Sequence, residues 1–223
     1  MIKENLISIK EKIAKNCKTF NRDSSMVNII AVSKTIASEK IIEAINLGCK
    51  IFAENYVQEA QEKWLKIRKD YPDIKLHLIG HLQTNKVKEA VETFDCIQTL
   101  DSKKLAIALK KEMTKQGKKI DLMMQVNIGD EAQKYGIKII EIAEFIKFCK
   151  DELELEITGI MAIPPAQELA SPYFALLKKI ADQYNLSQIS MGMSSDFAEA
   201  IALGTTHIRL GTAIFGERIK KIF

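Results

Sequence analysis

The run Val27-Asn28-Ile29-Ile30-Ala31-Val32-Ser33-Lys34 is apolar and β-branched almost throughout, then ends on a lysine. Such a run reads as a buried strand. Lys34 breaks the pattern where the strand opens into a loop. An ammonium held against an apolar sheet tends to lose its proton, because burial disfavours the charged form. A neutral lysine is a nucleophile toward aldehydes. Taken alone, Lys34 is read more plainly as a lysine that snorkels from a strand end to water.

The same strand-like pattern recurs seven times, over 50–53, 75–79, 95–99, 120–126, 156–163, 187–191 and 206–210. Helical patterns fall between these runs, near 38–47, 56–69, 85–92, 102–116, 137–150, 171–184 and 195–203. Ahead of them, Ile2, Leu6, Ile9 and Ile13 recur at helical spacing from Met1 to about Lys18. The punctuation agrees with this division. Ser38 is placed to cap the first of the interleaved helices and Gly48 to end it. Asn55 with Gln58 reads as a capping box. Ser171-Pro172 puts proline at a first helical position. Ser195 is expected to cap the last full helix, which Gly204 ends.

Eight strands alternating with helices predict an α/β fold, a single (β/α)8 TIM-type barrel with an extra N-terminal helix, one domain over 1–223. The chain is short for that fold, so its loops must be short. An open doubly wound sheet is the runner-up. Against it, no GxGxxG follows the first strand and no GxxxxGK[ST] occurs.

Composition narrows the function. The 223 residues are 47% hydrophobic and 28% charged, a globular profile, and the net charge of +4 comes from interspersed signs. Short basic pairs such as Lys118-Lys119 and Lys220-Lys221 do not make a nucleic-acid footprint. No apolar run approaches membrane-spanning length, and the charged N-terminus is unlike a secretory signal, so a cytoplasmic location without membrane or nucleic-acid partners is expected. Cys17, Cys49, Cys96 and Cys149 are scattered, form no CxxC pair and are expected to be free thiols.

Two loops at the far end give Lys34 its meaning. Ser190-Met191-Gly192-Met193-Ser194-Ser195-Asp196 links the seventh strand to its helix, with a glycine for close backbone approach and hydroxyls at a helix start. Arg209-Leu210-Gly211-Thr212 follows the eighth strand. Helix N-termini bind anions, and the loops after strands 7 and 8 are the habitual phosphate cradle of parallel barrels. Each turn alone reads as a capped tight turn. Strands 1 and 8 adjoin in a closed barrel, so a Lys34 Schiff base would lie within a small cofactor's length of the phosphate. A phosphate-bearing aldehyde is implied, with pyridoxal 5′-phosphate (PLP) the natural candidate.

Other groupings rank lower. His77 and His81 span a strand end and Gly80, not a metal-binding helix, so a structural role is expected and no metal site is assigned. His207 reads as a surface or packing histidine. Asp101-Ser102 reads as a helix cap. Gly129-Asp130-Glu131 is a mouth loop without a role. Met161, Met191 and Met193 pack around the core or cofactor.

Ala31-Val32-Ser33-Lys34-Thr35, Phe52-Ala53-Glu54-Asn55-Tyr56-Val57-Gln58-Glu59 and His77-Leu78-Ile79-Gly80-His81-Leu82-Gln83-Thr84-Asn85-Lys86 carry a resemblance to a known family. Gly159-Ile160-Met161-Ala162, Ser190-Met191-Gly192-Met193-Ser194 and Arg209-Leu210-Gly211-Thr212-Ala213-Ile214-Phe215-Gly216 extend it nearly end to end. The chain resembles the pyridoxal phosphate homeostasis protein family, with the barrel of the alanine racemase N-terminal domain. The resemblance implies PLP on Lys34, its phosphate on Ser194, Gly211 and Thr212, its pyridine nitrogen beside Arg209, and Asn55 lining the cofactor. Ala53 stands where the family usually has glycine, and Leu76 and Leu78 replace aromatics, which affects only local packing.

An arginine stays charged, so Arg209 would keep the pyridine nitrogen unprotonated and the ring a weaker electron sink. Racemases that share this barrel add a tyrosine base from an appended β domain, for which this chain is expected to lack room. Tyr56 and Tyr135 are expected to be packing or surface residues. The implied function is therefore intracellular PLP homeostasis, buffering the cofactor and delivering it to PLP-dependent apoenzymes as a monomer, with no catalytic residue assigned. Two alternatives remain: a small PLP enzyme such as an amino-acid racemase or decarboxylase, and a cofactor-free lysine aldolase acting on a sugar phosphate.

Overall fold

The computed structural model describes residues 1–217; the Lys220-Lys221 pair lies outside the described residues. Eight strands run in chain order: β1 (Asn28–Val32), β2 (Ile51–Glu54), β3 (Lys75–Leu78), β4 (Cys96–Leu100), β5 (Asp121–Gln125), β6 (Gly159–Met161), β7 (Gln188–Ser190) and β8 (His207–Leu210). Each pairs in parallel with its sequence neighbour, and β8 pairs back on β1, closing the barrel. The closing register is Asn28 to His207, Ile30 to Arg209 and Ala31 to Leu210. Around the barrel lie α2 (Ser38–Asn46), α3 (Val57–Asp70), α4 (Val87–Thr93), α5 (Lys103–Gln116), α6 (Ile142–Lys147), α7 (Ala170–Gln183), α8 (Phe197–Ala202) and α9 (Thr212–Phe215), preceded by α1 (Ile2–Thr19). The predicted eight-stranded barrel with an extra N-terminal helix is the fold observed.

The apolar stripe of α1, Ile2, Leu6, Ile9, Ile13 and Cys17, is buried, and the helix packs on α8 and α9. Asn5 Nδ2 donates to the Ile214 carbonyl at 2.9 Å. Arg22, just past the helix, donates to the carbonyls of Ile201 and Thr205. The added helix thus braces the chain segments that follow β7 and β8. Outside β2, Phe52 packs on Trp64 of α3 with ring centroids 5.1 Å apart. All four cysteines are free and buried.

Several local expectations differ in detail. Ala37, not Ser38, is the N-cap of α2, while Gly48 beyond its end has the expected positive φ of 93°. No capping box forms at Asn55 and Gln58: Tyr56 is the N-cap of α3, without a side-chain bond. Asp196 replaces Ser195 as the N-cap of α8, and its carboxylate accepts from Met193 N–H at 2.6 Å. Pro172 lies in the first turn of α7, where no intrahelical N–H is lost. The helix expected from 137 starts later, because Ile137 bridges to the chain beside β5 through Ile137 N–H to Gln125 O and Asn127 N–H to Ile137 O. Ser102 does cap α5, accepting from Leu105 N–H.

His207 is buried at the start of β8, with its ring 6.2 Å from that of His77. Burial pushes the His77 imidazole down to about 3, with His207 adding to the shift, and burial pushes His207 down to about 4, with the Arg209 charge adding. Both rings are neutral in the folded chain at pH 7, whereas the unfolded chain protonates below about 6.5. Folded-state stability is therefore full above that pH and falls as pH drops toward about 4. Urea midpoints measured from pH 8 to 4 should show this fall, shallower in His207→Asn by roughly 1 kcal/mol or more, since a tenfold change in proton affinity is worth about 1.4 kcal/mol. An identical pH slope in that variant would contradict the assignment.

Candidate functional site at the barrel mouth

The sequence-predicted site residues all sit at or just beyond the C-terminal ends of their strands, the face where parallel barrels place function. Lys34 lies two residues past β1 and is half-buried, Asn55 immediately follows β2, and Ser194 lies in the loop between β7 and α8. Arg209 belongs to β8, while Gly211 and Thr212 begin the turn into α9. Closure of β8 on β1 brings the two ends side by side: a Cβ built on Gly211 would lie 3.6 Å from Val32 Cβ and 3.7 Å from Val32 O, with nothing nearer. A methyl at Gly211 would therefore meet only Val32, at ordinary contact distance. Ser194 Oγ accepts from Ala213 N–H at 3.3 Å, which joins the β7 loop to the first turn of α9. Thr212 is exposed beside them.

Arg209 is held from below. It is 4% exposed, and its guanidinium donates to Ser190 Oγ at 2.7 Å and to the Ala162 carbonyl at 2.9 Å. Ser190 in turn donates to Gln98 Oε1 at 2.7 Å, and Gln98 Nε2 donates to His77 Nδ1 at 2.9 Å. Because β4 and β7 are not neighbours, this chain of bonds crosses the barrel interior. Its direction is fixed, since Arg209 can only donate and the neutral His77 ring accepts at Nδ1. Buried polar groups left unpaired cost about 1–3 kcal/mol each, so the chain locks the guanidinium in one place. Burial pushes the Arg209 guanidinium down to about 10, partly offset by Asp196, so it remains a cation at neutral pH. Ser190, Gln98 and His77 received no such linked role from sequence; their single signal was polarity at positions inside strand runs.

On the other side of Lys34 the wall is acidic and ordered. Glu54, fully buried at the end of β2, accepts through Oε1 from Ser33 Oγ at 2.7 Å, Lys63 Nζ at 3.0 Å and Trp64 Nε1 at 3.0 Å. Asn55 Oδ1 is buried and has no hydrogen-bond partner among the described residues, and the same holds for the neighbouring Glu54 Oε2, whereas folded proteins pair most buried polar groups. Gly80 is pinned against Asn55: a Cβ there would fall 2.1 Å from the Asn55 carbonyl oxygen. Beyond Gly80, His81 donates to Asp101 Oδ2 at 3.0 Å and stacks on Tyr135, with centroids 3.7 Å apart at 13°. Sequence reasoning separated His81 from Asp101, because nothing in one chain shows that the loops after β3 and β4 meet. Among the described residues, no cluster of metal-ligating side chains and no helix able to cross a membrane is present.

With this geometry, the chain matches the family model for the alanine racemase N-terminal domain over residues 10–219. It is 38% identical over 227 residues to the pyridoxal phosphate homeostasis protein of Pasteurella multocida, covering 97% of each chain. It is 37% identical to that of Aquifex aeolicus, covering 96% of this chain and 97% of the relative. Among solved structures, PipY of Synechococcus elongatus PCC7942 with PLP bound superimposes with a TM-score of 0.84 at 34% identity, covering 97% of this chain and all of that one. Similarity at this level runs over nearly the whole length of both chains, and the chain belongs to the pyridoxal phosphate homeostasis protein family, built on the alanine racemase N-terminal domain.

Proposed function

We propose that this chain binds PLP at the barrel mouth, covalently through Lys34 as a Schiff base, and serves PLP homeostasis by buffering and delivering the cofactor rather than by turning over a substrate. The observation that carries the reading is the meeting of β1 and β8, which sets the Lys34 turn beside the Gly211–Thr212 turn. The residues suit the group. Gly211 leaves room where a side chain would meet a phosphate, and Ser194 and Thr212 bring hydroxyls to the same turn. Arg209 supplies a fixed cation for the pyridine nitrogen, and Asn55 Oδ1 is an acceptor still lacking a donor.

When bound, PLP supplies an aldehyde that captures amines and a ring that withdraws electrons. The protein's own groups limit how far that chemistry goes. Arg209 donates and has no proton vacancy to fill, so it holds the ring nitrogen unprotonated and restrains carbanion chemistry. PipY of Synechococcus elongatus is described with PLP bound, and the relatives are named for homeostasis rather than for a reaction. In the same reading the chain acts as a cytoplasmic monomer and passes the cofactor to PLP-dependent apoenzymes.

The purified protein should be yellow, and borohydride should bleach it and leave a phosphopyridoxyl mass on Lys34. Lys34→Ala should lose that adduct while melting as the parent does. A protein that stays colourless and unmodified after PLP is added would sink this reading and favour the cofactor-free aldolase. Gly211→Ala separates cofactor space from fold space. Its new methyl meets nothing closer than 3.6 Å within the protein, so the ligand-free melting temperature should hold within a few degrees while PLP affinity drops by about tenfold or more, equivalent to about 1.4 kcal/mol. Unchanged affinity would remove Gly211 from the phosphate site.

A further inference from the structure

Lys34 is presented by a turn that this sequence should not favour. Ile36 N–H donates to the Ser33 carbonyl at 3.0 Å, making Ser33–Ile36 a four-residue turn with Lys34 second and Thr35 third. Thr35 has φ of 63°. A positive φ at the third position marks a type II turn, which selects glycine or asparagine there. A β-branched threonine in that region is strained. The common alternative, a type I turn, needs no positive φ and differs mainly by a flip of the peptide between the second and third residues, about 150° in the ψ of the second. That peptide joins Lys34 to Thr35, so its orientation sets how the Lys34 side chain leaves the barrel.

The N–H of this same peptide is held from outside the turn. Thr35 N–H donates to Glu59 Oε1 of α3 at 2.6 Å. Glu59 Oε1 also accepts from Lys63 Nζ at 2.9 Å, one helical turn on. Lys63 is 11% exposed and donates as well to the Ser33 carbonyl at 2.9 Å and to the buried Glu54 at 3.0 Å. Ser33 Oγ completes the ring with its bond to Glu54. Both backbone flanks of Lys34, the Ser33 carbonyl and the Thr35 amide, are therefore fastened to one set of charged side chains. A flip of the 34–35 peptide would turn the Thr35 N–H away and leave a carboxylate that is only 27% exposed without it.

We infer that Glu59 and Lys63 are positioning residues for Lys34, locking the 34–35 peptide in the orientation that aims the amine at the cofactor. This rests on the reading of Lys34 as the attachment point. Attachment forms one C=N bond and releases one water, and it requires the amine, as a free base, to meet the aldehyde carbon from one direction. A turn that samples two peptide orientations offers that approach for part of the time only.

Two readouts test it. In the ligand-free protein, NMR should show the Thr35 amide protected in the parent and in Glu59→Gln, which keeps an acceptor, but exchanging freely in Glu59→Ala. On mixing with PLP, Glu59→Ala should form the yellow adduct about tenfold more slowly, a barrier rise of about 1.4 kcal/mol, with Glu59→Gln near the parent rate. Glycine tolerates the positive φ unaided, so Glu59→Ala with Thr35→Gly should recover most of the lost rate. Recovery separates positioning from misfolding, since added glycine would not rescue an unfolded chain. Parent-like exchange and rate in Glu59→Ala, or no recovery in the double variant, would overturn the inference. A parent protein that forms no Lys34 adduct would instead refute the attachment reading, and Thr35 exchange would still report on the lock.

Discussion

The pairing of β8 on β1 is the constraint on which this molecule depends. Without it, Lys34 and the Arg209–Thr212 segment are separated by most of the chain. With it, Ile30 stands opposite Arg209 and Ala31 opposite Leu210, so the Lys34 turn and the Gly211 turn leave the barrel side by side. Long-range closure of this kind carries a chain-entropy cost that local contacts do not. The structure offsets it with α1, which bridges to the segments after β7 and β8, and with a bond chain through the barrel that ties β8 to β7, β4 and β3.

Two polar systems then divide the interior. One runs from Arg209 through Ser190 and Gln98 to a neutral His77 and holds a cation immobile under the mouth. The other runs from Glu54 through Lys63 to Glu59 and holds the backbone around Lys34. Each consists mainly of groups that do not tolerate burial alone, and their mutual bonds offset most of that cost, with Glu54 Oε2 left unpaired among the described residues. In the proposed reading, the fixed cation on β8 and the amine presented by the adjoining β1 turn would together receive a small molecule carrying both an aldehyde and a ring nitrogen. Binding at a preformed site loses little to ordering, which suits a protein whose proposed task is to keep a reactive aldehyde out of solution and hand it on.

Much of this was legible in the sequence. Apolar β-branched runs alternating with amphipathic helices set the strand count, and each strand prediction overlaps an observed strand. The strand-end lysine and the glycine–hydroxyl turns after strands 7 and 8 pointed to the mouth. Less legible were features that depend on which side chains meet. Asn55 has the pattern of a capping residue, yet its Oδ1 is buried without a partner among the described residues, while Glu59, an ordinary helix-surface glutamate by pattern, reaches back to the Lys34 turn. Asp101 has the pattern of a cap and instead pairs with His81. The caps expected at Ser38, Asn55 and Ser195 differ from those observed, Ala37, Tyr56 and Asp196, for a related reason: several neighbouring residues can cap locally, and the path of the loop decides which does.

The most direct test is a crystal structure of the protein grown with PLP. The account predicts electron density continuous from Lys34 Nζ to the cofactor, the phosphorus over the Gly211–Thr212 turn beside Ser194, and Arg209 unmoved against the ring nitrogen. Cofactor bound to another lysine, or with its phosphate away from the β7 and β8 loops, would contradict it.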